Sequence, residues 1–490
     1  MNPATPFVFT RNALTLVLLA LSLVFSAALL TGCGSGSQMG GTPPPAGNTQ
    51  VVLLLTSTAN DQLLAFSTNV TSIALADAAG TTTVFTSPQP TGQIVEWMHL
   101  NGASEPFLTA TLPQGTYTSA QVTVASCYFE NAVFSTTLTV STDDEGTCSQ
   151  GTGITTVNLP NPIVVTGKAM ALSLNLQVPQ SFSLTAATPP ATYTISPVFT
   201  LTPVALSAQP TNETNGKITG LDAQVTAVNA TGNSFTVQTT DGAALTVAAN
   251  ATTTYQGLAG LSALAPNALS NLDLAIQPDG SFLATRVEVD DATAPVAVVG
   301  AYISPGNLAG EVTTVTLQLN GCQVAGAPFC GNLFQNTDTT VFATSGQFTN
   351  VATLPFPATF NASTETPGES ISNLFPGTFN AQGFQNTSTV VLVPQTLNGT
   401  VTAVTNQNGF AVYTVSLASY DLFPTLQLFN VIGPPLTAPT TLVVYVDTSA
   451  QMLNTGAIQV GSLLRFRGIV FNDNGALRMD VGQILDGVPE

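Results

Sequence analysis

An all-β chain is predicted, with an N-terminal β-sandwich followed by two to three tandem small β-barrel-like domains. Short runs of β-branched or apolar residues recur between Gly, Pro, Asn or Asp, no segment carries convincing helical periodicity, and the second half repeats itself. In the first domain, 49–207, strands are expected at 51–55, 70–75, 120–124, 135–140, 169–176 and 192–201. A short helix or a loop is expected at 257–265.

From about residue 216 three blocks open on an apolar strand interrupted by glycine. They are Lys217-Ile218-Thr219-Gly220-Leu221, Ala297-Val298-Val299-Gly300-Ala301 and Thr396-Leu397-Asn398-Gly399-Thr400-Val401. The first and third also close alike. Asp279-Gly280-Ser281-Phe282 and Asn474-Gly475-Ala476-Leu477 each make a tight turn into a strand with one arginine, Arg286 or Arg478. A period of roughly 80 to 100 residues suits tandem small domains better than a solenoid. The expected domains are therefore 208–292, a divergent 293–395 and 396–490.

The chain opens on a single basic residue, Arg11, and an apolar run at 13–30 that leads to Leu30-Thr31-Gly32-Cys33. No Lys or Arg follows until Lys168, and the next residues are Gly-, Ser- and Pro-rich, the composition of a flexible tether at 33–48. The tetrapeptide resembles the lipobox of bacterial lipoproteins, in which a small residue precedes the cysteine that receives the lipid. The resemblance implies a signal peptide at 1–32, lipidation of Cys33 and a place in the cell envelope; Gly34 in the next position resembles the pattern sorted to an outer membrane.

The first domain resembles a bacterial module of unknown function found behind lipoprotein signals. The likeness lies in Val51-Val52-Leu53-Leu54-Leu55, in Val70-Thr71-Ser72-Ile73-Ala74-Leu75 and in Leu112-Pro113-Gln114-Gly115-Thr116-Tyr117. In the last of these a strand ends at a Pro-x-Gly turn, where Gly115 suits a positive φ. The later blocks are similar to a second bacterial family of unknown function, small β-barrels of oligonucleotide-binding-like shape. Such a shape does not carry a ligand with it.

Composition limits the function. Only 7% of residues are charged, well below the usual value of about 25%. Apart from 13–30, no apolar run approaches the roughly 20 residues that span a bilayer. With 26 acidic against 7 basic residues and a net charge of −19, nucleic acid is not an expected partner. Few ion pairs and a fading self-repulsion predict a fold that tolerates acid. Beyond Cys33, the cysteines fall into two local pairs, and disulfides Cys127–Cys148 and Cys322–Cys330 are expected, as in an oxidising compartment. Each would contribute about 2–4 kcal/mol.

Candidate chemistry is sparse. A nucleophile system would need His99, the only histidine, which is expected to be a partly buried strand residue beside Trp97. With no CxxC and His99 remote from every cysteine, zinc is not expected. The acidic run Asp143, Asp144 and Glu145 could hold calcium through oxygen ligands, although it lacks the alternating spacing of an established calcium loop. No cofactor is expected. The expected function is that of a lipid-anchored, non-enzymatic envelope protein with binding, adhesion or structural roles, whose partners are the membrane through its lipid and a glycan or envelope protein. The alternative is an extracellular carboxylate-dependent polysaccharide hydrolase or its accessory subunit.

Overall fold

In the computed structural model the chain is all-β, its only helices being single short turns among the described residues. The structure describes residues 47–486 except 59–62, 135–139, 148–152, 187–191, 290–295, 309–310, 317–320, 324–340, 345–352, 362–363, 365, 367, 376–388, 419–422, 425–439 and 454. Cys33, Cys148 and Cys330 lie outside the described residues, as does most of the strand expected at 135–140.

The first module stacks two sheets. One runs in the order Phe199–Val204, Met170–Leu176, Asn48–Ser57, Glu105–Pro113. The other is built on the long antiparallel pair Leu63–Asp77 and Ser119–Phe134. Asn48–Ser57 is a central strand, parallel to Met170–Leu176 and antiparallel to Glu105–Pro113. Its unbroken apolar run follows from burial on both faces. Val51, Leu53 and Leu55 join Leu172 and Leu174 inside the sandwich, while Val52 and Leu54 join Ile218 and Leu274 of the next module.

The Pro-x-Gly motif closes one end of the sandwich, by a different device from the one expected. Gly115 is not among the positive-φ residues; it starts the short strand Gly115–Tyr117, and a Cβ there would lie 3.2 Å from Asp77 Oδ2. The buried Tyr117 donates its hydroxyl to the carbonyl of Pro113 at 2.9 Å, which staples the turn across itself. The strand expected at 192–201 is two, Thr192–Ile195 and Phe199–Val204, interrupted at Pro197, which has no N–H for a ladder. The segment at 257–265 contains only the single 3-10 turn Leu261–Ala263.

The two better-matched repeats share one topology. In the first, strands one to five are Lys217–Asn229, Ser234–Thr239, Ala244–Ala248, Leu269–Ile276 and Phe282–Glu288, with the extra strand Thr254–Gln256 continuing the third. In the last they are Gln395–Gln407, Phe410–Leu417, Thr441–Leu453, Leu463–Asp473 and Ala476–Asp486. Strand one pairs with two and four, two with three, four with five, and three runs parallel to five, closing the ring in both. Irregularities coincide as well. A bulge falls between Val225 and Ala227 in one and between Val401 and Ala403 in the other, and the threonine inside it donates across the ladder, Thr226 to Thr236 O and Thr402 to Thr414 O.

The divergent block follows the same plan. Val296–Leu308 pairs with Glu311–Thr316 and Ser370–Phe375, the latter pairs with Thr389–Leu392, and that strand runs parallel to Val341–Thr344. These are pairings one–two, one–four, four–five and three–five. Phe356 from this block stacks on Tyr445 of the last barrel at 4.9 Å, in a small cluster with Phe410, Ile469 and Phe471 on the barrel's outer side.

Register corrects two sequence equivalences. Gly300 and Gly399 each lie two residues before the strand-one bulge, whereas Ala223 holds that position in the first barrel and Gly220 sits in a different bulge. Arg286 lies opposite Asp273, and the same place in the last barrel is taken by Gln483 opposite Arg467; Arg478 lies opposite Phe471.

Candidate functional site

The segment from Gln93 to Glu105 lies where the sandwich meets both closed barrels. Strand Gln93–Glu96 pairs with Leu63–Asp77 and delivers the chain to Trp97, which is fully buried and held on three sides. Its indole N–H donates to Thr68 Oγ1 at 2.9 Å, its carbonyl accepts from Ser57 Oγ at 2.7 Å, and its ring packs on Phe199. The next residues form the 3-10 turn Met98–Leu100, not the strand expected around His99. Met98 and Leu100 are buried in the sandwich core, so the side chain between them turns the other way.

His99 thereby enters a cluster of three carboxylates. Its Nδ1 lies 3.4 Å from Glu96 Oε2, and its Nε2 lies 3.1 Å from Glu105 Oε2 and 3.7 Å from Asp241 Oδ2. Glu96 also accepts the backbone N–H of His99 and of Phe66, which fixes the turn. Glu105 enters at the head of its strand, opposite Leu55.

Asp241 comes from the first barrel, on the turn between its second and third strands, where Gly242 takes φ +85. Its docking is reciprocal. The Asp241 N–H donates to Glu105 Oε1, the Glu96 N–H donates to Asp241 Oδ1, and Gln93 Nε2 donates to the Asp241 carbonyl. Asp241 Oδ2 is left buried with no hydrogen-bond donor. Glu105 and Asp241 side chains are each 4% exposed and His99 17%.

The electrostatics follow from three acids around one base. Burial alone would lower the His99 pKa, but Asp241, Glu105 and Glu96 together hold it well above the ordinary histidine value. Burial, and then the charge of Glu105, push the Asp241 carboxyl well above the usual range against the pull of His99. Among the described residues, His99, Glu105 and Asp241 are the group whose ligand atoms gather within 4.8 Å of one another.

Beside this cluster lies a cleft of about 480 Å³ between the outer face of the first sheet and the last barrel. The apolar residues of that face, Val52, Leu54, Ala171 and Val204, pack on the first barrel, and Leu54 and Val204 also border the cleft. Polar residues of the same face line the cleft with cross-strand rows, Thr56–Asn175–Thr200 and Ser173–Thr202. Glu213 and Arg465 add charge to the lining, and Pro203, Leu453 and Leu485 add apolar walls. Burial raises the Glu213 carboxyl, opposed by its hydrogen bond from Gln483 at 3.2 Å and by Arg467, Ser104 and Arg465. The loop after His99 is tied here too: Thr396 Oγ1 donates to the Asn101 carbonyl at 2.9 Å, and a Cβ on Gly102, which takes φ +69, would meet Thr396 Oγ1 at 3.0 Å.

Other residues singled out in the sequence are dispersed. Asp143, Asp144 and Glu145 belong to strand Val140–Thr147, with Glu145 opposite Glu130 and Asp144 opposite Asn131. Cys127 is buried, and its neighbour Tyr128 pairs with Thr147. Cys322 lies opposite Val298 in the divergent block. Glu96, Glu105 and Asp241 escaped sequence reading. Glu96 lies three residues before the sole histidine, a spacing that lets a carboxylate cap a turn, whereas Asp241 is brought in from another module.

No protein-family model and no curated protein sequence matches this chain. The resemblances drawn from the sequence accordingly rest on their motifs.

Proposed function

We propose that the chain is a lipid-anchored, non-enzymatic protein of the cell envelope, held at an outer membrane through Cys33, whose β-modules present a binding surface for a glycan. The cleft carries this reading, with polar rows along one sheet face and apolar walls at Leu54, Leu453 and Leu485. Its rows of hydroxyl and amide groups, Thr56, Asn175, Thr200, Ser173 and Thr202, match a ligand that is itself rich in hydroxyls and amides. The cleft contains one carboxylate, Glu213, and no aromatic ring among its lining residues. The hydrolase alternative calls for two carboxyls facing each other.

Two further parts of the reading concern export. Antiparallel pairing of Tyr128 with Thr147 supports a Cys127–Cys148 bridge, because the next step of the same register leads from one cysteine toward the other. The Gly-, Ser- and Pro-rich segment after Cys33 gives a tethered module its reach.

A glycan-binding screen with the full chain tests the function. Binding weakened at least about tenfold by Asn175→Ala together with Thr200→Val is expected. Polysaccharide hydrolysis abolished by Glu213→Gln would overturn the non-enzymatic reading. Incorporation of labelled palmitate that persists in Cys33→Ala would remove the anchor.

A further inference from the structure

We propose that His99 Nε2, Glu105 Oε2 and Asp241 Oδ2 form a site for one divalent transition-metal ion of the zinc type, which clamps the sandwich to the first barrel. The inference goes beyond the glycan-binding reading and does not depend on it. Two observations carry it independently. The three ligand atoms lie within 4.8 Å of one another, and Asp241 Oδ2, on a side chain 4% exposed, points into their midst with no hydrogen-bond donor. Burying a carboxylate oxygen without a partner is costly, and a cation at that point removes the cost.

The donor set selects the class of ion, and the two separations from the imidazole fit it. Bonds of about 2.0–2.1 Å in a tetrahedron place ligand atoms about 3.3 Å apart. The separations from Nε2, 3.1 Å to Glu105 and 3.7 Å to Asp241, bracket that edge. One imidazole nitrogen and two carboxylate oxygens suit zinc or a neighbouring first-row ion, whereas calcium needs six to eight oxygens. Water would supply the fourth ligand.

The surroundings are arranged as metal ligands usually are. Nδ1 of His99 faces Glu96 Oε2 at 3.4 Å, so a carboxylate orients the ring, and the ion would take the place of the proton between Nε2 and Glu105 Oε2, which lie 3.1 Å apart. The other oxygens of Glu105 and Asp241 accept backbone N–H groups from across the seam, which fixes both carboxylates in place. Charge points the same way: Glu96, Glu105 and Asp241 surround a single basic side chain, and a divalent cation offsets the excess. Two ligands come from one module and one from the next. The ion would therefore act as a structural cross-link.

The test uses the full chain, stripped with a chelator and titrated with zinc chloride by calorimetry. One ion per chain is expected, with a rise in melting temperature. Affinity should fall at least about tenfold in Asp241→Asn and in His99→Gln, while Asp279→Asn, on an exposed turn, binds as the parent does. No saturable binding to the parent chain, or unchanged affinity in folded Asp241→Asn, would overturn the site. Should both variants fail to fold, zinc-edge X-ray absorption of the loaded parent decides: one imidazole with oxygen neighbours supports it, and sulfur ligands or a shell without imidazole sink it.

Discussion

The first and last barrels share a backbone plan and two bulges, one on strand one and one between strands four and five, yet differ at four register-equivalent positions on strands four and five. In the first barrel these are Asn271, Asp273, Arg286 and Glu288; in the last they are Arg465, Arg467, Gln483 and Leu485. The first set closes on itself. Arg286 reaches Asp273 at 3.1 Å, Asn271 at 2.8 Å and also Glu288, and these carboxylates more than offset the burial that would otherwise lower its pKa. The last set instead faces its neighbours: Arg465 and Arg467 approach Asn101 at 3.5 Å, and Gln483 donates to Glu213. One surface thus serves as a self-contained ion cluster in one barrel and as a socket for the two preceding modules in the other. Barrels of one backbone plan can differ most readily where side chains leave the ring, because the ladder does not depend on them.

The rings also differ in how large and small residues are paired across the ladder. Leu274 lies opposite Ala284 in the first barrel, where the last has Gly468 opposite Val481. A Cβ on Gly468 would lie 2.1 Å from the Asp480 carbonyl. The largest expected effect is therefore Gly468→Ala, a destabilisation of about 3 kcal/mol or more, since the obstacle is backbone. At the equivalent position, Leu274→Ala should cost about 2–5 kcal/mol for the opposite reason, a cavity. Denaturant unfolding of both variants checks the pair. A harmless Gly468→Ala would break the equivalence of the two cores.

Next in size comes the ion cluster. Arg286→Ala removes the cation facing Asp273 and Glu288 and should cost about 3–5 kcal/mol, against about 1–2 kcal/mol for Gln483→Ala. Similar losses at both sites would contradict the contrast between closed cluster and socket. Salt adds a check, because the two variants should respond differently to ionic strength only if the first cluster is ionic.

A smaller effect tests what the barrels have in common. Thr226→Val and Thr402→Val each remove one bulge hydrogen bond and should cost the same, under about 1 kcal/mol. Unequal costs would mean that the bulges are alike in geometry only.

The last prediction concerns pH and Glu213, which belongs to the socket. Its folded-state pKa is raised by burial, so the folded chain holds this proton to higher pH than the unfolded chain does. Its contribution is fully present below the ordinary carboxylate value and is lost as pH rises through the raised one. Glu213→Gln should therefore gain stability relative to the parent as pH climbs from acid to neutral. Melting curves of both chains across that range that stay parallel would show that Glu213 is not the titrating group. The sign is that of the acid tolerance expected from composition, and here it comes from a half-buried carboxyl.

Much of the architecture could be read in advance, for local reasons. Turns such as Asn408-Gly409 and Asn474-Gly475 announce hairpins because both residues take positive φ, and the structure places them there. The strand expected at 192–201, by contrast, spans Pro197, whose missing N–H interrupts it in the structure. Residues 293–395 looked divergent because their segments differ, yet the pairing pattern persists, since topology is held by backbone ladders that many sequences satisfy. The candidate metal cluster was nearly invisible. His99 was visible as the only histidine, but it looked inert without its acids, and nothing in the neighbourhood of Asp241 points to residue 99.

The sequence by itself determined the all-β class, the tandem repetition and the tightest turns, because each depends on φ preferences and alternation over a few residues. It also carried the Cys33 motif, a local signal that needs no fold. Only the tertiary structure decided that Val51 to Leu55 is apolar on both faces because a second module covers it. Only there do His99, Glu105 and Asp241 meet. The physical reason is the same in both cases: burial and charge pairing depend on which surfaces touch, and residues distant in the chain touch only after the modules have docked.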